Sequence, residues 1–185
     1  MVFGIIGVVV LIIVLLIAAY IGIYNGLVVA KQKVKNAWSQ IEVQLQKRFD
    51  LVPNLVETVK GYAKHEKEVL DKVTELRSSW ASAKTNSEKV EVENQFAGAL
   101  KTIMAVAENY PELKASENFL NLQKNLTKME DQLQAARRLY NTDVTSYNTT
   151  LQTFPSNIIA GFFGFKEEEL FQLEPGKEQN VNVEL

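Results

Sequence analysis

The sequence predicts an all-α protein in which one N-terminal transmembrane helix leads into a long antiparallel helical bundle. Three observations support this fold class. No charged side chain occurs from Val2 to Ile23. Beyond this stretch, apolar residues recur at spacings of three and four, which is the period of an amphipathic helix. Only nine Gly and four Pro punctuate the 185 residues, so turns are few and the helices must be long.

The stretch from Val2 to Ile23 predicts an uncleaved membrane span. A helix of about 20 apolar residues, rising about 1.5 Å per residue, crosses a hydrocarbon core of about 30 Å. A cleaved signal would have a basic start and a small-residue cleavage site. Here no Lys or Arg precedes Lys31, and the stretch ends in bulky residues between Tyr20 and Tyr24. These two tyrosines stand where an interfacial aromatic belt is expected.

The charges after the span predict its orientation. Cations dominate from residue 31 to residue 49, where they are opposed by a single acid; they are Lys31, Lys33, Lys35, Lys47 and Arg48. Because Lys31, Lys33 and Lys35 follow the span directly, the positive-inside rule predicts that the N-terminus lies outside and the body in the cytoplasm, as in a single-pass protein of a bacterial inner membrane. Anionic lipid headgroups would favour this basic end, so membrane lipids are expected partners.

Gly22 and Gly26 are four residues apart and allow two interpretations. They could permit a close contact between two spans, as small residues at this spacing do in membranes. They could equally face lipid, with Asn25 and Gly26 loosening the helix where it leaves the bilayer.

After the span, the apolar spacing continues from Leu27 to Leu76 without a change of phase at Pro53. This favours one helix of about 50 residues, kinked one turn before the proline. The alternative is a break, in which Asp50 caps a second helix that carries Pro53 in its first turn.

Two further long helices are predicted. Thr85, with Glu88 three residues later, forms the pattern of a capping box and starts a helix that Pro111 ends. Ser116 then precedes the most regular apolar stripe of the chain, which runs to about Thr153 and stops before Pro155.

The chain is therefore expected to comprise a span in residues 1–24, a cytoplasmic bundle in residues 25–165 and a loose acidic tail in residues 166–185. The bundle ends in a short apolar segment that cannot span a bilayer. This segment could close one end of the bundle, rest on the membrane surface or contact another protomer. Its candidate interface residues are Ile158, Ile159, Phe162, Phe163 and Phe165.

Three blocks of sequence resemble the LemA family of bacterial membrane proteins. The first runs from Tyr24-Asn25-Gly26-Leu27-Val28 to Ile41, and the second from Lys47-Arg48-Phe49-Asp50 through Pro53 to Tyr62. The third runs from Tyr110-Pro111-Glu112 through Tyr140-Asn141 and Tyr147-Asn148 to Phe154-Pro155 and Gly164-Phe165. The resemblance implies a single span with an outward N-terminus and a helical body. It implies no established activity, although one branch is associated with magnetosome membranes.

Two polar features are expected to be structural. Arg137 flanks the stripe of the third long helix, and we predict that it pairs with one of the carboxylates of Asp50, Glu57 or Glu66 across the bundle, which would fix register more than add stability. Tyr140-Asn141 and Tyr147-Asn148 repeat after seven residues, so both tyrosines face the core. Their hydroxyls are expected to be hydrogen-bonded, with a protein interface as the alternative.

The composition gives no sign of catalysis. With no Cys and one His, the chain offers neither a zinc site nor a Cys-His pair, and no glycine-rich phosphate loop is present. We therefore predict no enzyme activity and no cofactor. A formal net charge of −2 gives no reason to expect nucleic acid.

Two functions remain for a protein of this kind. In the first, it is a membrane-anchored scaffold that associates with itself and organises or shapes a membrane patch. In the second, it is an adaptor, monomeric or a small oligomer, that tethers another membrane protein, for example one involved in envelope stress or proteolysis. The first is preferred, so the expected partners are lipids and further copies of the chain.

Overall fold

The structure, a computed structural model, describes residues 2–63 and 65–171, and these form helices without any strand. The helices in chain order are α1 (Val2–Asp50), α2 (Val52–Tyr62), α3 (Lys67–Ser82), α4 (Asn86–Glu108), α5 (Pro111–Lys114), α6 (Glu117–Gln152) and α7 (Ser156–Phe163). The predicted all-α class is confirmed.

Helix α1 begins as the predicted span. Its large apolar side chains from Phe3 to Ile21 are exposed, and among the described helices it is the one long and apolar enough to cross a membrane. The helix continues without a break through Asn25 and Gly26. The loosening considered at this point is therefore absent from the structure.

The predicted kink one turn before Pro53 is confirmed at Leu51, but the helix that was predicted to continue to Leu76 ends at Tyr62. Helix α1 ends at Asp50, and Pro53 lies in the first turn of α2. Proline has no N–H to continue the hydrogen-bond ladder and is well accommodated in a first turn. Pro53 thus lies in the first turn, as the alternative placed it, but Asp50 does not cap α2, because Leu51 occupies the N-cap position with a helical φ of −80° and makes no side-chain cap.

The chain then reverses direction between Tyr62 and Lys67. In α3, the indole of Trp80 stacks on Phe49 at 5.1 Å between ring centroids, and its Nε1 donates a hydrogen bond to Gln46 Oε1. Helix α2 leads away from Phe49, so α3 must run back alongside α2 for Trp80 to reach Phe49. Sequence reasoning missed this turn because it contains no glycine and leaves the apolar spacing in phase.

Two compact units can be distinguished. One comprises the chain through Gln40 together with Ala136–Leu170; the other comprises Ile41–Ala135 with Phe171. In the second unit, α4 runs in the same direction as the end of α1, because Glu93 pairs with Arg48 and the following Phe96 packs on Phe49. Helix α4 starts with the predicted capping box of Thr85 and Glu88, which is confirmed.

In the first unit, the early part of α1 packs against the end of α6. Trp38 and Tyr140 meet edge to face with 5.5 Å between ring centroids. Helix α6 ends at Gln152, close to the predicted position before Pro155, and α7 follows. Gly164 closes α7 with a left-handed φ of 71°, a conformation that glycine adopts at little cost, and turns the chain back toward α6.

Candidate membrane-interface site

Helix α7 has one buried face and one exposed apolar face. Ile159 and Ala160 are buried. On the other side Ile158 is 63% exposed and Phe162 is 80% exposed, and Phe154, just before the helix, is 75% exposed. Residues four apart lie on one side of a helix, so Ile158 and Phe162 form a continuous apolar surface. We call Phe154, Ile158 and Phe162 the apolar face of α7.

Aromatic contacts fix α7 beside the end of the apolar part of α1. The ring centroid of Phe163 lies 4.6 Å from that of Tyr24 and 6.0 Å from that of Tyr20. Phe165 also contacts Tyr24, at 6.0 Å and nearly edge to face. The two tyrosines expected at the membrane boundary thus hold α7 beside the turn of α1 that runs from Tyr20 to Tyr24.

The chain around α7 carries no charge. No Asp, Glu, Lys or Arg occurs between Asp143 and Lys166. The end of α6, α7 and Gly164 therefore form an uncharged region at the level of Tyr20 and Tyr24. Charges resume in the chain at Lys166: Glu167 accepts a hydrogen bond from Gln152 at the end of α6, and Glu168 Oε1 lies 3.9 Å from Lys31 Nζ.

The segment after α7 returns between α1 and α6 and is bound by α6 side chains. Asn148 Nδ2 donates to the carbonyl of Glu168 at 2.9 Å, and Glu168 N–H donates to Asn148 Oδ1 at 3.0 Å. The hydroxyl of Tyr147 donates to the Lys166 carbonyl, and that of Tyr140 donates to the Glu169 carbonyl. We call residues 165–169 the C-terminal strap.

These contacts complete the account of the tyrosine-asparagine repeat. The expected hydrogen-bonded tyrosine hydroxyls are found at both Tyr140 and Tyr147. Burial raises the pKa of Tyr147, and the negative charge of Glu168 adds to this effect. Burial also raises the pKa of Tyr140, with the charges of Glu168 and Glu169 adding to it. Residues 166–169 also differ from the loose tail that was expected, while residues 172–185 of that tail lie outside the described part of the chain.

The proposed interface residues divide between two roles. Phe163 and Phe165 bind the tyrosines of α1, and Ile159 is buried, whereas Ile158 and Phe162 are exposed. The periodicity of so short a helix was not enough to assign these faces, because nearly every residue in it is apolar.

Gly22 and Gly26 lie on exposed positions of α1, and a Cβ at either would meet open space.

Arg137 is buried in α6, and its predicted pairing with Asp50, Glu57 or Glu66 stays a prediction. Asp50 is exposed and accepts a hydrogen bond from Gln46. Glu66 does not continue a helical stripe, because it is the N-cap residue of α3, where its carboxylate accepts a hydrogen bond of 3.4 Å from the Tyr110 hydroxyl.

An ion-pair cluster that sequence reasoning missed lies inside the second unit. Arg48 Nη1 is 2.6 Å from Glu93 Oε1 and 2.9 Å from Glu130 Oε2. Arg48 is 7% exposed and Glu93 is 0% exposed. Arg48 was grouped with the cations that would attract lipid headgroups, and this was wrong, because its guanidinium forms ion pairs with Glu93 and Glu130 inside the second unit. The position of Glu93, three residues before Phe96 on the buried stripe of α4, was the available signal.

The described residues hold no group of three or more His, Asp or Glu arranged to bind a metal ion. The Arg48 cluster is a structural ion-pair cluster, because one carboxylate oxygen of Glu93 and one of Glu130 contact the guanidinium. Outside the apolar start of α1, the most exposed large apolar side chains of the first unit among the described residues are those of the apolar face of α7.

Comparison with known proteins gives consistent matches along the chain. Protein LemA of Metamycoplasma hominis is 29% identical over 154 residues, covering 83% of this chain and 70% of the relative. Magnetosome protein MamQ 2 of Paramagnetospirillum magneticum is 27% identical over 192 residues, with 90% and 71% covered. Magnetosome protein MamQ of Magnetospirillum gryphiswaldense is 22% identical over 178 residues, with 82% and 65% covered. None of these names indicates a reaction.

The family model for the LemA family matches residues 37–185, which include the whole of α6, α7 and the strap. With the match covering most of the sequence, the chain belongs to the LemA family.

Proposed function

We propose that this protein is a membrane-anchored helical scaffold that associates with itself and organises or shapes a membrane patch. Its N-terminus would face outward, and its bundle would lie on the cytoplasmic side of a bacterial inner membrane. The basic residues Lys31, Lys33 and Lys35 on the first turns after the span support this orientation through the positive-inside rule.

The observation that carries the proposal is the rigid mounting of the span. Helix α1 passes through Asn25 and Gly26 without a break, and Phe163 and Phe165 hold it a second time at Tyr24. A tether needs only a loose connection to its anchor. A scaffold must set the angle at which spans enter the bilayer, and a continuous helix held from the side has this property.

The relatives support the same role. Several of them are named magnetosome proteins, which associates this family with an organised membrane structure. The region shared with them extends over 90% of this chain in one case, so the mounting and the bundle lie within the shared part.

The test is the assembly state of the full-length protein in lipid. The protein would be extracted with a lipid-retaining copolymer, its particle mass measured and its particles imaged by electron microscopy. A discrete particle of many protomers, with the membrane curved or thickened around it, is the expected result. A monomer that co-purifies with one stoichiometric partner protein would contradict the scaffold and favour an adaptor.

A further inference from the structure

We propose that α7 is a second membrane-contact element that lies in the boundary between lipid headgroups and acyl chains, with Phe154, Ile158 and Phe162 inserted among the lipids. This proposal does not depend on self-association, because each copy of the chain would make the contact by itself. It concerns the apolar face of α7, which nothing else in the first unit covers among the described residues.

The first step is the exposure of this face. Three large apolar side chains, including two phenylalanines, are between 63% and 80% exposed on adjacent positions. The idea that α7 merely closes the bundle accounts for Ile159 and Ala160, which are buried, but leaves these three in water. A cluster of exposed large apolar groups rimmed by polar residues marks a binding surface for protein or membrane.

The second step is the level at which the face lies. Phe163 contacts both Tyr20 and Tyr24, the aromatic residues that flank the end of the apolar span. Tyrosines at the end of a span lie at the headgroup level of a bilayer. A helix bound directly to them must lie at the same level, so its exposed side meets lipid without any movement of the chain.

The third step is charge. Placing a charged group at the acyl boundary is unfavourable, and the chain carries none between Asp143 and Lys166. The exposed polar residues that flank the apolar face in the chain, Thr153 and Asn157, are uncharged and suit the headgroup region. This pattern favours a lipid surface over a second protein copy, whose interface would not require so long an uncharged region around three apolar residues.

The proposal can be tested by depth measurement with spin labels. Because the natural chain has no cysteine, Phe162→Cys and Ile158→Cys each give a single labelling site in the full-length protein. The matched control is Leu139→Cys, an exposed apolar residue of α6 in the same unit. The labelled proteins would be reconstituted into vesicles of phosphatidylethanolamine and phosphatidylglycerol, and the collision of each label with oxygen and with a water-soluble nickel chelate would be measured.

Oxygen concentrates in the acyl region and the chelate stays in water, so the oxygen-to-chelate ratio should be several-fold higher at residues 158 and 162 than at residue 139. Equal ratios at all three sites would place α7 in water and overturn the proposal. Labels shielded from both reagents and coupled to labels on neighbouring copies would also overturn it, since the face would then be a protein interface. That last result would contradict the lipid contact of α7 but not the proposed scaffold function, so the two proposals can fail independently.

Discussion

Arg48 and Glu93 form a buried ion pair, with 2.6 Å between Nη1 of the guanidinium and Oε1 of the carboxylate. Removing one member leaves the other as an uncompensated buried charge, so Arg48→Met should lower the free energy of unfolding by about 3 kcal/mol. Chemical denaturation followed by circular dichroism measures this. The adjacent exposed Lys47 gives the control, because Lys47→Met should change stability by about 0.5 kcal/mol or less.

The same pair predicts a non-additive double variant. In Arg48→Met with Glu93→Leu both charges are gone, and the stability lost in either single variant should be largely recovered, since an apolar pair of similar volume replaces the ions. Glu130, the third member, is partly exposed and can return to water. Losses that simply add in the double variant would show that packing around Arg48, and not charge, is responsible.

The C-terminal strap should be released by Asn148→Ala. The amide of Glu168 donates to Asn148 Oδ1, and this substitution leaves the amide without its acceptor. Hydrogen exchange measured by mass spectrometry should therefore be faster in the peptide that contains Glu168. Asn121→Ala, at an exposed position of α6, is the control. Unchanged protection would mean that the other strap contacts, such as the two tyrosine hydroxyls and the Gln152–Glu167 hydrogen bond, hold the strap without Asn148.

Alkaline pH should loosen the same region. The pKa values of Tyr140 and Tyr147 are raised by burial in the folded state, so the folded protein holds these protons more tightly than the unfolded chain. Their contribution is fully present below the ordinary tyrosine pKa of about 10 and is lost as pH rises through the higher folded pKa. Unfolding temperatures should fall above about pH 10, and less steeply in Tyr147→Phe; an equal slope in that variant would exclude Tyr147 as a cause.

The start of α4 depends on its capping box. The Thr85 hydroxyl accepts from the N–H of Glu88, so Thr85→Ala should cost about 1 kcal/mol of stability. Ser87→Ala, also exposed and two residues away, is the control and should have a smaller effect. Backbone hydrogen bonds from Lys84 and Thr85 lower the pKa of Glu88, so its part in the box persists above its ordinary pKa and is lost as pH falls through the lowered value.

Helix continuity at Gly26 can be separated from side-chain contact there. Gly26→Pro should break the α1 hydrogen-bond ladder at a cost of about 3 kcal/mol, and the proposed scaffold function predicts that it also reduces the number of protomers per particle. Gly26→Ala keeps the helix and places its Cβ in open space, so it should assemble normally. If Gly26→Ala also prevents assembly, close packing of the glycines matters more than the rigidity of α1.

The sequence was sufficient for the elements that have local signals. The span, the Thr85 and Glu88 capping box and the limits of α6 each depend on neighbouring residues, and each was found where it was predicted. The reversal before Lys67 has no such signal. Ala63 and Leu70 are seven residues apart, which is about two helical turns. The apolar pattern of a helix therefore continues through the turn unchanged.

The candidate site was less predictable because contacts between residues distant in the chain determine which of its side chains are exposed and which are paired. The apolar composition of α7 indicated a contact surface, but only the packing of Phe163 against Tyr24 shows which side is free. Glu93 lies on the buried stripe of α4 among apolar residues, and its partner is 45 residues away in the chain. Spacing on one helix cannot identify a partner on another.

The strap is the last part of the first unit to be synthesised. Tyr24 leaves the ribosome with the span, whereas Phe165, which packs on it, is made after α6 and α7 are complete. Contacts so distant in sequence close slowly and cannot form before the chain is nearly finished. Residues 41–135 of the other unit are synthesised before α7 and the strap, so that unit can begin to fold before Phe163 and Phe165 pack on α1.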